Sequence, residues 1–179
     1  MTLYKKLALL SLSLLIISSF QLQAQTDFAK KFVPKWDRAV AYTIEVIEAM
    51  PEDHLSFRPV EEVRTFEEQA LHLIDNFKGL QRFITGSDEC PLDEIDLQNL
   101  NKAQLITVFK SGGAFIRDLA ETQSKKELRK SVPDFFIKDV DITKEGVFHL
   151  ISDHMAHHRG QMILYLRLNG IKPPRYRGW

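Results

Sequence analysis

The chain has 179 residues and carries 24 basic and 24 acidic side chains, so its formal net charge is zero. Hydrophobic residues make up 44% and charged residues 27%, a composition typical of one globular domain with a sizeable core. The balanced charge provides no net electrostatic attraction for nucleic acid, which argues against nucleic-acid binding. The single cysteine, Cys90, excludes an intramolecular disulfide, and no motif around it marks a nucleophile.

The first 24 residues are typical of a secretory signal peptide. Lys5 and Lys6 form a basic start, an apolar run covers residues 7–20, and the small residue Ala24 closes the segment. The run is shorter than the roughly 20 residues that a membrane-spanning helix needs. We therefore expect export, periplasmic or extracellular, with cleavage after Ala24 and no stable membrane insertion afterwards. An uncleaved anchor is the alternative interpretation.

Cleavage at that position would leave one mature domain over residues 25–179. Because the leader carries two lysines and no acid, the formal charge of the mature domain is −2. This small charge again argues against nucleic acid as a partner.

Helical periodicity of apolar residues predicts the first two helices over residues 27–50 and 66–85. Pro51 ends the first helix. The second begins with a capping box, in which Thr65 is the N-cap and Glu68 returns a hydrogen bond to it. We expect this structural role for Glu68 rather than a role as a general base.

The third helix is predicted over residues 102–121, with Asn101 as its cap. It carries Gly112 and Gly113 in its middle, each costing about 1 kcal/mol relative to Ala. We therefore expect either a bend or a closely packed neighbour at this point. The following segment, 122–142, is long for a structureless loop, which predicts a short hairpin or an ordered crossover.

The fourth helix, over residues 143–169, ends at an Asn-Gly stop signal. Its His154 and His158 are one helical turn apart, so they project from one face about 5–6 Å apart at Cβ. Two such imidazoles can bind one metal ion. Met155 occupies the place where a zincin metalloprotease carries its catalytic Glu, so this helix does not supply that base. Four helices without alternating strands predict an all-α four-helix bundle.

His72, on the second helix, is the best candidate for a third ligand. Its inward stripe also holds Gly79, which we expect to thin the wall beside it. A core histidine bonded to a neighbour is the alternative for His72. On the fourth helix, we expect Gln161 to orient a ligand or water, His157 to lie beside the site, and Arg159 to face away from it towards carboxylates or a neighbouring helix.

The segment His154-x-x-x-His158-Arg159-Gly160-Gln161, continuing to the two prolines at 173–174, resembles the last helix of the DinB-like (DinB/YfiT) superfamily. The capping-box helix with His72 is similar to the second helix of that family, which carries its first metal ligand. The resemblance covers the chain from about Asp27 to Trp179. It implies a four-helix bundle in up-down-down-up order, which requires a long crossover between the second and third helices.

The resemblance also implies that His72, His154 and His158 form a three-histidine site for a divalent metal ion, usually zinc or nickel. Members of known activity are often transferases or isomerases that use low-molecular-weight thiols, and others are regarded as metal-dependent hydrolases. Export weakens the thiol-transferase interpretation here, because such thiols are scarce outside the cytoplasm.

We therefore expect an exported metal-dependent hydrolase or thiol transferase acting on a small molecule. The alternative is a metal-binding or partner-binding bundle without turnover. A base beside the open metal position would favour the enzyme, and a cavity that admits only water would favour the alternative. The sequence assigns no catalytic residue, does not name the substrate, and is compatible with a homodimer.

Overall fold

The computed structural model describes residues 26–177, so the predicted signal peptide lies outside the described part of the chain. Within that part, the fold is helical and has no β-strand. None of these described helices combines the length and apolarity needed to span a membrane. The long helices are α1 (Asp27–Ala49), α2 (Phe66–Thr85), α3 (Lys102–Thr122) and α5 (Lys144–Leu168), and α4 (Lys125–Leu128) is a single turn.

The predicted helix starts are confirmed by their capping contacts. Thr65 Oγ1 accepts the Glu68 N–H at 3.2 Å, and Glu68 Oε2 accepts the Thr65 N–H at 2.7 Å. Asn101 and Gln104 form the same reciprocal pair at the start of α3, with both bonds at 2.9 Å. The capping role expected for Glu68 is therefore correct.

The segment between α3 and α5 is an ordered crossover. After α4 the chain forms one antiparallel bridge, between Ser131 and Thr143. Beside it the Val132 N–H donates to the Ile142 carbonyl at 2.8 Å. The segment therefore holds the start of α5 in place.

The directions of the helices follow from pairs of contacts at their two ends. In α1 and α3, Trp36 Nε1 donates to the Gly113 carbonyl at 2.8 Å, and Lys102 Nζ donates to the Met50 carbonyl at 3.0 Å. The early part of α1 therefore contacts the later part of α3, and the end of α1 contacts the start of α3, so the two helices are antiparallel. By the same reasoning α2 and α5 are antiparallel, because Gln69 contacts Tyr165 and the later His72 contacts the earlier His154.

Helices α1 and α5 are parallel, since Phe32 packs on Phe148 early in both helices and Ala39 accepts from Arg159 later in both. The order is therefore up-down-down-up, as predicted. The helices form a ring in the sequence α1–α3–α2–α5, so α2 has α3 and α5 as its neighbours. Because α2 and α3 run in the same direction, residues 86–101 must cross the length of the bundle.

The core is formed by apolar side chains from all four long helices. Its largest fully buried members are aromatic, and each contributes roughly 1.5–3 kcal/mol relative to leaving it in water. They are Trp36, Phe66, Phe77, Phe109 and Phe148. Only four polar side chains are buried in the described residues, and these are Thr43, Gln69, Gln81 and His158.

The glycines of α3 permit close helix packing. A Cβ added to Gly113 would lie 2.8 Å from Val40 Cγ1, and one added to Gly112 would lie 2.9 Å from Phe77 Cδ2. Of the two alternatives predicted here, a bend or a closely packed neighbour, the structure has the neighbour. The expectation for Gly79 is wrong, because a Cβ at Gly79 would meet no atom of another described element within 4 Å and the residue faces solvent.

Alanine substitution should change the free energy of unfolding in opposite directions at the exposed Gly79 and the closely packed Gly113. Gly79→Ala should raise the free energy of unfolding by about 0.5–1 kcal/mol through helix propensity alone. Gly113→Ala should lower it by roughly 1–2 kcal/mol, because the clash with the stiff side chain of Val40 outweighs that gain. Urea unfolding of the two variants beside the wild type measures both effects, and a gain of stability in both would contradict the close contact.

Candidate metal centre

Helices α2 and α5 bring the three predicted histidines together. His72 Nε2 and His154 Nε2 are 3.0 Å apart. The ring of His158 has its centroid 4.6 Å from that of His72 and 4.4 Å from that of His154. One ring nitrogen from each residue lies within 4.8 Å of the other two, so the group could hold a metal ion.

The antiparallel packing of α2 against α5 creates this convergence. His154 and His158 share one face of α5 because they are one turn apart. His72 lies on the face of α2 that meets them. His158 is only 5% exposed, whereas His72 and His154 are half-buried, so the site opens to solvent on one side.

The surroundings of all three histidines favour the neutral imidazole that binds metal ions. Burial lowers the pKa of His158 to about 3, and the neighbouring His154 and His72 add to the effect. Burial also lowers the pKa of His154, again with a contribution from His72. The pKa of His72 is lowered mainly by burial, with Arg64 acting in the same direction.

A residue that the sequence interpretation missed, Gln69, contacts the most buried histidine. Gln69 Oε1 lies 2.5 Å from His158 Nδ1, and Gln69 Nε2 donates to Gln161 Oε1 at 2.8 Å and to the Tyr165 hydroxyl at 3.2 Å. Gln69 is itself 1% exposed. The available signal was a glutamine three residues before His72, within the buried part of an amphipathic helix.

Two other polar residues of α5 lie where the sequence predicted. His157 is exposed beside the cluster, with its ring centroid 6.4 Å from that of His154, and its Nε2 is 2.8 Å from Gln161 Nε2. Arg159 faces α1, where it donates to the Ala39 carbonyl at 3.1 Å and Thr43 Oγ1 at 3.2 Å. Gly160 is exposed, and a Cβ added there would meet no atom of another described element within 4 Å.

The residues of the cluster fit a divalent transition metal. Such an ion takes imidazole nitrogen at about 2.0–2.1 Å, which places two nitrogens on one ion roughly 3–3.4 Å apart. The 3.0 Å separation of His72 and His154 meets this requirement. One helical turn after His72 along α2, Asn76 Oδ1 is buried and has no hydrogen-bond partner among the described residues.

A cavity of about 770 Å³ opens beside His72 and His158. Arg64 lines it together with three acids, Glu62, Glu68 and Asp75. A second cavity, of about 600 Å³, lies between α1, α4 and α5 and touches none of the three clustered histidines.

Cys90 is buried in the loop after α2, and burial raises its thiol pKa, which argues against a thiolate nucleophile.

Comparison with known proteins identifies relatives of this bundle. The chain is 27% identical over 134 residues to the uncharacterized protein YjoA of Bacillus subtilis (strain 168), covering 72% of this chain and 82% of YjoA. The crystal structure of the DinB-like YjoA superposes with a TM-score of 0.67 at 20% identity, covering 83% of this chain and 99% of that one.

A DinB-like protein from Bacillus cereus ATCC 10987 superposes with a TM-score of 0.68 at 17% identity, over 82% of this chain and 95% of that one. At these identities the superpositions establish the shared fold. The sequence model of the DinB family matches residues 23–178, which is nearly the whole of the predicted mature domain. This chain therefore belongs to the DinB family.

Proposed function

We propose that this chain binds one divalent metal ion, zinc or nickel, through His72, His154 and His158, and that it is a metal-dependent hydrolase or thiol transferase acting on a small molecule. The observation that carries the proposal is the convergence of three imidazoles, each favoured in its neutral form, of which His72 and His158 line an open cavity. Three histidines with an accessible side are typical of catalytic rather than structural sites.

A bound ion would supply Lewis acidity, and would lower the pKa of a water or thiol that binds beside it. The other groups of the cavity have separate roles. Arg64 provides a positive charge for an anionic part of a substrate. Glu68 is held by the capping box, so Glu62 and Asp75 are the carboxylates of the cavity that we propose for moving a proton.

The size of the cavity supports turnover over simple metal storage. Small-molecule sites are typically about 300–1,000 Å³, and the cavity beside His72 measures about 770 Å³. Within the proposal, hydrolysis is favoured over thiol transfer if the N-terminal segment directs export, because low-molecular-weight thiols are scarce outside the cytoplasm.

The purified domain should contain about one divalent ion per chain, as expected for a single three-ligand site. His154→Ala should lose most of that metal, because two ligands remain. His157→Ala is the matched control, since it removes an adjacent histidine whose Nε2 faces Gln161, and it should keep the metal. Elemental analysis checks this, and equal metal content in the wild type and His154→Ala would refute the site.

Activity is then tested on the metal-loaded protein with panels of ester, amide and electrophilic substrates, each with and without an added thiol. Turnover that disappears in His154→Ala and persists in His157→Ala supports the enzyme. Full metal occupancy without turnover on any panel would favour the metal-binding bundle instead.

Removal of the ion should weaken the fold without unfolding it. In the aromatic core, Phe77 packs against both Trp36 and Phe109, and none of these three residues belongs to the site. Chelation should therefore lower the melting temperature while leaving a cooperative helical state, unlike small zinc modules that lack a core. Circular dichroism with and without chelator measures this. Loss of the helical signal at room temperature would make the ion structural.

A further inference from the structure

A chain of hydrogen bonds, buried at Tyr165, Gln69 and His158, connects the site to the backbone and has a fixed direction. It begins at the Arg64 carbonyl, which can only accept, and the Tyr165 hydroxyl donates to it at 3.0 Å. That bond uses the one proton of the hydroxyl. Tyr165 can therefore only accept from Gln69, whose side chain lies 3.2 Å away. The Gln69 atom that faces Tyr165 must be the amide nitrogen.

This orientation of the Gln69 amide decides which nitrogen of His158 carries hydrogen. The amide oxygen is turned towards His158 Nδ1, 2.5 Å away, and an amide oxygen cannot donate. His158 Nδ1 must therefore carry the hydrogen. A neutral imidazole has one N–H, so Nε2 of His158 keeps its lone pair. This is the form in which a histidine with a hydrogen-bonded Nδ1 binds metal.

The same direction has the opposite effect on the adjacent histidine. Gln69 Nε2 also donates to Gln161 Oε1 at 2.8 Å, which turns the Gln161 amide nitrogen towards His157. It lies 2.8 Å from His157 Nε2, so that ring nitrogen must be the acceptor. The lone pair of Nε2 is thus available in His158 and engaged in His157.

We propose that Gln69 is a positioning residue, which holds His158 in its Nδ1–H tautomer for metal binding and, through Gln161, withholds Nε2 of His157. Tyr165 sets the direction of the network. Gln69 and His158 are 1% and 5% exposed, so solvent does not readily replace their bond. The use of the His158 Nε2 lone pair as a metal ligand rests on the proposed function, but the tautomer of His158 does not depend on that function.

The direction depends on Tyr165, because every other link could be reversed. If the side-chain amides of Gln69 and Gln161 were both flipped by 180°, the Gln161 amide nitrogen would donate to the Gln69 oxygen, and the Gln69 nitrogen would donate to His158 Nδ1. His157 Nε2 would then have to carry hydrogen and donate to the Gln161 oxygen. In that reversed network His158 would hold its hydrogen on Nε2. The Tyr165 bond to the Arg64 carbonyl opposes this, since reversal would place the Gln69 oxygen against the hydroxyl oxygen.

The test reads the tautomers of the metal-free domain by long-range proton–nitrogen correlation NMR on nitrogen-15-labelled histidine, above the ordinary histidine pKa. Wild-type His158 and His157 should both be Nδ1–H. Tyr165→Phe removes one hydroxyl and should allow a population in which both residues shift to Nε2–H together. Gln69→Leu should release His158 from the Nδ1–H form and weaken zinc binding by about 10–100-fold.

Gln81→Leu is the matched control, because Gln81 is also 1% exposed on α2 but bonds the Ser87 and Glu89 carbonyls away from the histidines. It should change neither the tautomers nor zinc affinity. An Nε2–H form of His158 in the wild type would overturn the proposal. Tautomers in Tyr165→Phe that are the same as in the wild type would also overturn the proposal. Tyr165→Phe therefore tests the proposal even if Gln69→Leu does not fold. If the wild type binds no zinc, the metal function fails, whereas the tautomers still decide the network.

Discussion

The hydrogen bond between Gln69 and His158 is the contact on which the site depends. Both side chains lie in the bundle interior, where an unpaired polar group costs roughly 1–3 kcal/mol and where only four polar side chains of the described residues are buried. The Gln69 amide oxygen accepts from His158, and its two amide hydrogens are donated to Gln161 and Tyr165. The pair also joins α2 to α5 at the point where the three histidines meet, so the same contact pairs the helices and orients a candidate ligand.

The up-down-down-up order gives this contact its setting. Because α2 lies antiparallel to α5, the turn that carries Gln69 and His72 meets the two turns that carry His154, His158 and Gln161. On the far side of α5, Arg159 fastens the same stretch of helix to α1. The position of the histidines is therefore set by packing on both sides of α5, and the aromatic core supplies stability independently of any ion.

Much of this arrangement is predictable from local signals. The capping pairs at Thr65 and Asn101 place two helix starts, and the spacing of His154 and His158 places two imidazoles on one face. The pairing of Gly113 with Val40 could be expected only as a neighbour of unknown identity, because helix periodicity does not say which helix packs there. The family resemblance, rather than periodicity, supplied the helix order.

The parts that escaped prediction depend on contacts between helices. Gln69 has no local motif, and its role appears only when α5 brings His158 and Tyr165 to it. Gly79 shares a wheel position with His72, yet it faces solvent, because the stripe follows the open edge of the α2–α5 contact rather than its buried centre. A helical wheel gives angles around one axis and does not show where the partner helix ends.

The most direct test of the central claim is X-ray absorption at the metal edge of the zinc-loaded domain. The account predicts three imidazole nitrogens at about 2.0–2.1 Å, with the remaining position or positions filled by a light exogenous atom. Coordination by oxygen alone, by sulfur, or by fewer than three imidazoles would contradict it, and would show that the convergence of α2 and α5 serves another purpose.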